Sequence, residues 1–156
     1  MTNNGNASPA NHIRKNWTVE VWEDANGRSP FGKWYDKLGE YDQAVVDAAI
    51  KEILMPLGMD ICETEWGKPL KDGLYEIRIR RSLSTLVNLG KPEEEWEDLP
   101  AWADKTVLLR IFCTFHGNRI VLLFQGYDKG KDPSPKRQER EIKQARKHLR
   151  AWKNEI

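Results

Sequence analysis

Little in this chain marks it for secretion, for a membrane or for a bound metal. It has two cysteines, Cys62 and Cys113, far apart and with no CxxC or His pair beside them, so neither a disulfide framework nor a zinc-ligand spacing is present. Both are expected as reduced, mostly buried thiols. No run approaches the ~20 apolar residues that span a bilayer. Residues 1–16 (MTNNGNASPANHIRKN) also lack the apolar core of a signal peptide, so a cytoplasmic protein with no membrane partner is expected. Histidine is scarce, with three in all: His12, His116 and His148. There is no internal repeat and no motif for a nucleotide or metal, and no cofactor is expected. With 11 Gly, 8 Pro, 39% hydrophobic and 31% charged residues, the composition excludes collagen and a wholly disordered chain. The 156 residues suit one domain.

What is present in quantity is charge, and it is segregated. The net charge of +1 hides opposed blocks: residues 18–65 hold eleven acids against four Lys/Arg, and residues 129–153 hold ten Lys/Arg against three acids. A third block, KPEEEWEDLPAWADK (91–105), has six acids and two lysines. Such asymmetry suggests a basic surface for a polyanion, with acidic surfaces held away from it. A salt-bridged helical exterior is the plainer alternative.

Residues 1–16 carry one aliphatic side chain larger than alanine, Ile13, and are read as a flexible tail; residues 17–156 form the domain. WTVEVWED (17–24) alternates and reads as a strand. Ser29-Pro30 caps and opens a short helix with Phe31, Trp34 and Leu38 on one face. A second helix is expected from about Asp42 to Leu57, ended by Pro56 and Gly58, which makes a helical hairpin. LYEIRIRR (74–81) alternates strictly, with Tyr75, Ile77 and Ile79 opposing Glu76, Arg78 and Arg80. TVLLRIFCTF (106–115) and RIVLLFQGY (119–127) read as an antiparallel hairpin turning at His116-Gly117-Asn118. In the first, Leu108, Arg110, Phe112 and Thr114 share one side. In the second, Ile120, Leu122 and Phe124 are expected to oppose Val121, Leu123, Gln125 and Tyr127.

From Ser134-Pro135 onward a basic helix carries the stripe Ile142, Ala145, Leu149 and Trp152. The fold class is therefore α+β: an antiparallel twisted sheet with an N-terminal helical hairpin and a C-terminal helix, the helices covering one face. Arg78, Arg80 and Arg110 then project from the open face, within reach of Tyr127 and Gln125.

LKDGLYEIRIRR, LLRIFCTF and NRIVLLFQGYDKGKDPSP, followed by the basic helix, give the chain over residues 17–153 a resemblance to the RelE/HigB-like toxins of type II toxin–antitoxin modules. It is most similar to the phage-associated HigB-like branch, in the order and spacing of its "dGLyElR", "R-[VIL]-x-[FY]" and "[IVL]-x-L-x-x-[FY]-x-K-K" strands and its "P..ei..A" helix. The resemblance implies a small toxin that enters the ribosomal A site and cuts mRNA without a metal. It also implies a cognate antitoxin, expected as a helix-turn-helix protein, that holds the toxin inactive. Arg78 and Arg110 match basic residues of the family site, Arg80 is a third candidate, and Lys129 aligns with the first lysine of the "KK" pair. Tyr127, Lys129, Lys131 and His116 are the groups available for proton transfer.

The chemistry suits these residue types. Attack by an RNA 2′-hydroxyl needs a base, positive charge on the phosphorane and an acid for the leaving oxygen. A guanidinium fork can hold two phosphate oxygens at once. Lys136, Arg137 and Arg140 on the basic helix are candidates for contact with RNA backbone.

There are two departures from the family pattern. Gly130 stands where the second lysine is expected, so Lys131 would supply that charge. The segment from about 82 to 106 is an acidic insertion, read either as a flap that regulates access to the site, binds the antitoxin or displaces nucleic acid, or as an extended hairpin tip with Trp96 and Trp102 packed locally. Two other functions fit such a fold: a ParE-like gyrase inhibitor that cuts no RNA, and a degenerate RNA-binding phage accessory domain.

Overall fold

The structure, a computed structural model, describes residues 16–156, so the expected tail, apart from Asn16, lies outside the described residues, as does His12. The chain begins with strand β1 (Thr18–Val21), followed by helix α1 (Pro30–Asp36), whose first turn is closed by the Ser29 hydroxyl accepting from the Gly32 N–H. Helix α2 (Glu40–Ala49) runs on through a π-helical stretch, Ile50–Leu54, into a last turn, Met55–Leu57. The wide turn precedes Pro56, which has no N–H to give and whose ring would crowd the carbonyl four residues back. The expected helical hairpin is thus present, its second helix starting two residues early.

Strand β2 (Gly67–Pro69) and strand β3 (Tyr75–Ile79) come next, then helix α3 (Leu83–Asn88), strand β4 (Leu109–His116), strand β5 (Ile120–Asp128) and the long helix α4 (Pro135–Glu155). No helix among the described residues is long and apolar enough to cross a membrane.

The five strands lie in the order β1-β5-β4-β3-β2. Strands β2 to β5 pair antiparallel, as expected, but β1 runs parallel to β5, with Thr18 opposite Ile120. The hairpin α1–α2 accounts for the parallel edge, because it carries the chain off β1 and over the sheet before the meander starts.

Two further expectations are corrected. The helices do not all cover one face. One side of the sheet, with Ile77, Ile79, Leu109, Ile111, Cys113, Val121 and Leu123, packs under Phe31, Val45, Val46, Ile53 and Leu54 of the N-terminal helices. The other side, with Leu74, Phe112, Leu122, Phe124 and Tyr127, packs under Ala145 and Leu149 of α4, joined by Trp22. Strands β4 and β5 are apolar on both sides and so need a cover on each.

The alternation read along β5 also breaks. Phe112 pairs with Gln125 but Cys113 pairs with Leu123, so Phe124 is an extra residue in a β-bulge. Leu122, Phe124, Gln125 and Tyr127 consequently all face α4.

Gly58 ends the α2 segment at φ +53°, ψ −128°, and a Cβ there would lie 2.0 Å from Cε2 of Trp17. Gly58→Ala is expected to lower unfolding free energy by roughly 2–4 kcal/mol, through a backbone conformation open almost only to glycine and an overfilled contact. The midpoint of urea denaturation measures it.

Candidate active site

Because Ile77 and Ile79 point into the N-terminal core, the strict alternation of β3 sends Glu76 and Arg78 to the α4 side, with Arg80 just past the strand's end. The ladder does the rest: Arg78 lies directly opposite Arg110, and Arg110 directly opposite Tyr127. Three strands thus bring residues distant in sequence to one line across the sheet, and the bulge at Phe124 sets Tyr127 on the right side to join them.

Two guanidiniums facing each other across a ladder repel. Here the side chain of Glu76, with 0% exposure, lies with them. Its Oε1 accepts from Nε of Arg78 at 2.9 Å, and its Oε2 is 4.0 Å from Nε of Arg110, an ion pair without a hydrogen bond. Glu76 was not among the sequence candidates. The signal for it was present, since a residue two before Arg78 on a strand must share its face.

The patch is not open to solvent in the way the sequence suggested. Arg110 is 4% exposed and Tyr127 1%, while the Arg78 side chain keeps 23%. Phe112 stacks on Tyr127 with centroids 6.1 Å apart, and the Arg137 guanidinium lies 5.4 Å from the centroid of the same ring. Helix α4 is held there partly by its own cations. Arg146 donates to the carbonyls of Leu70 and Lys71, and Lys153 donates to that of Asp72 at 3.3 Å.

This burial separates the two leading bases. Desolvation, followed by the field of Glu76, pushes the Tyr127 phenol above its ordinary value, so Tyr127 holds its proton and is a poor base; its hydroxyl makes no hydrogen bond. Lys129, half-buried just beyond β5, shifts in the useful direction. Desolvation first, then the charge of Arg110, with Arg78 and Arg80 adding and Glu76 opposing, holds its ammonium below the ordinary lysine value. Desolvation likewise lowers Arg110, which stays a cation at any working pH.

The other candidates divide. Arg80 donates to the Glu65 carbonyl at 3.3 Å and keeps a buried, unpartnered Nε. Lys131 is exposed on the turn after β5, where Asp128 Oδ1 accepts from the N–H groups of Gly130 at 2.8 Å and Lys131 at 3.2 Å. A Cβ at Gly130 would sit 3.0 Å from that oxygen, a contact that a small shift of the Asp128 side chain relieves.

Arg137 is engaged by Glu141 at 2.9 Å and Asp132 at 3.9 Å, so it forms part of the wall of the site; Lys136 and Arg140 are exposed beside it. Glu141 also accepts from Gln125 at 2.8 Å, fastening the first turns of α4 to β5. His116 does not join the group. It lies at the far end of β4, about 20 Å along the strand from Arg110, and packs on Trp152 with centroids 4.7 Å apart. His148 packs on Trp22 at 4.8 Å.

The acidic insertion is ordered, and it is not an extended hairpin tip. Ser82 caps α3, Leu86 enters the N-terminal core, and the Tyr41 hydroxyl donates to the carbonyl of Lys105. It therefore belongs to the side of the sheet opposite Arg110. Trp96 is pinned by its Nε1 donating to the Lys91 carbonyl at 2.9 Å, and Trp102 meets Tyr41 edge-on. A concavity of about 440 Å³ opens there, lined in part by Asn88, Lys91, Trp96, Glu97 and Asp104.

Among the described residues no three His, Cys, Asp or Glu side chains are grouped so as to hold a metal ion, and both cysteines are free thiols, with burial pushing Cys113 up. Comparison with protein-family models and with curated proteins finds no match to this chain.

Proposed function

We propose that this protein is the toxin of a toxin–antitoxin module, a cytoplasmic endoribonuclease that cuts mRNA on the ribosome by attack of a 2′-hydroxyl on the adjacent phosphate. The observation that supports it best is the set of Arg78, Arg80 and Arg110 gathered at one end of a rigid sheet with Lys129, whose ammonium is held below the ordinary lysine value by desolvation and by these cations. Neutral Lys129 takes the 2′-proton as the new P–O2′ bond forms. Arg78 and Arg80 hold the phosphate oxygens while charge builds on the phosphorane, and buried Arg110 adds field from behind. The P–O5′ bond then breaks, leaving a 2′,3′-cyclic phosphate, and the 5′-oxygen takes a proton from solvent. Exposed Lys136 and Arg140 supply sequence-independent contact with RNA backbone. An antitoxin, expected as a helix-turn-helix protein, restrains the activity.

A second reading, a nucleic-acid binder that cuts nothing, draws on the burial of Arg110 and on the partial neutralisation of Arg78 and Arg110 by Glu76. Inducing the chain alone in bacteria separates the possibilities. Translation arrest with cut mRNA supports the nuclease, SOS induction with unsegregated chromosomes a gyrase inhibitor, and no toxicity the binder.

If Lys129 is the base, kcat/KM rises with pH and levels above the lowered lysine pKa, because only the neutral amine accepts a proton. Lys129→Arg keeps the charge but cannot deprotonate. It should abolish that rising limb and lower cleavage about 10²- to 10⁴-fold, as measured by a pH–rate profile on a short RNA or on ribosome-bound mRNA.

A further inference from the structure

Glu76 is the one fully buried carboxylate in a group of cations, and its geometry is asymmetric. Oε1 is satisfied by Arg78, while Oε2 faces Nε of Arg110 across 4.0 Å with neither atom hydrogen-bonded. The two arginines are register partners on neighbouring strands, so without a counter-ion their heads would be driven apart. Arg78 spends its Nε on Glu76, and among the described residues its two terminal amino groups make no hydrogen bond. That leaves the bidentate end of the fork for a phosphate.

We propose that Glu76 is a positioning residue of this site: its carboxylate holds the Arg78 and Arg110 guanidiniums side by side and moderates the positive field at Lys129. The inference rests on the reading of this cluster as a phosphate-cleaving site, although its electrostatic part can be measured without any substrate. The charged groups that bear on Lys129 are Glu76 and Arg78 of β3, Arg80 just past its end, and Arg110 of β4. Tyr127 and Asp128 precede it at the end of β5, Lys131 follows it on the turn, and Arg137 and Glu141 of α4 lie by Tyr127. Glu76 is the carboxylate that acts on Lys129 directly, and it opposes the arginines. Removing its charge leaves the cations unopposed, so the ammonium should release its proton at lower pH.

The test uses the full chain carrying Glu76→Gln, which keeps the shape and an acceptor for Arg78 but removes the charge. Side-chain NMR of the lysines, with the Lys129 signal assigned through Lys129→Arg, should show Lys129 titrating roughly one pH unit lower than in the wild type. The rising limb of the RNA cleavage profile should move with it. An unchanged Lys129 titration in a variant that melts cooperatively overturns the proposal. Should Glu76→Gln fail to fold, Glu76→Asp draws the carboxylate back from both arginines: a downward shift of Lys129 supports the proposal, and no shift overturns it. An NMR shift in a protein that cuts no RNA would defeat the functional reading while supporting the assignment of Glu76.

Discussion

Arg110→Ala is expected to cost about 3–5 kcal/mol of folding stability, the penalty for removing one partner of a buried ion pair. Arg110 is 4% exposed, Glu76 0%, and the alanine would remove the cation that faces Oε2 of Glu76 at 4.0 Å while opening a void beside Tyr127. Equilibrium denaturation in urea measures the loss. Replacing both residues with apolar side chains of similar volume, Glu76→Leu with Arg110→Met, should recover much of it, since a well-packed apolar pair can match a buried ionic one. A loss below 1 kcal/mol for Arg110→Ala would mean that the pair is hydrated and the site looser than described. The same burial makes loss of activity in Arg110→Ala ambiguous, because a less stable protein is also a less abundant one.

Arg78→Ala is the cleaner probe of chemistry. Its side chain keeps 23% exposure, and one of its nitrogens alone is committed to the protein. Removing a fork that stabilises the phosphorane should cost roughly 2.7–4 kcal/mol of transition-state stabilisation, about 10²- to 10³-fold in kcat, on the scale of a lost oxyanion donor. Arg78→Lys should restore little, because a point charge cannot replace two parallel hydrogen bonds. The paired measurement is kcat against thermal melting. A fall in kcat with little change in melting temperature assigns the loss to the reaction.

Where the sequence could be read, a physical rule left one choice. Strand β3 alternates without exception, so burying Ile77 and Ile79 fixes the side taken by Arg78, and the antiparallel pairing of β3 with β4 sets Arg110 opposite it. Strand β5 offered no such rule. Its residues are apolar on both sides, and an extra residue at Phe124 leaves no mark in an apolar run, so strict alternation puts Leu122 and Tyr127 on opposite sides where the bulge brings them to one.

Helix α4 carries eight Lys/Arg side chains and buries little, chiefly Ala145 and Leu149, so its charge suggests a free face where the fold uses the helix as a cover. Arg146 and Lys153 look like surface charge until the left-handed turn at Lys71 and Asp72 presents carbonyls to them. Strand β2, three residues long and ending in Pro69, was too short to register, although proline is at home on such an edge. Among site residues, Glu76 was legible by parity. Glu141 was not, because its role depends on where α4 docks.

The most direct test is to add the purified chain to translating ribosomes carrying a defined mRNA and to map the ends produced. Cuts are expected that leave a 2′,3′-cyclic phosphate and a 5′-hydroxyl, reduced at least about 10²-fold by Arg78→Ala and made independent of pH by Lys129→Arg. Intact mRNA with the wild-type chain, or equal cutting by wild type and Arg78→Ala, would contradict it.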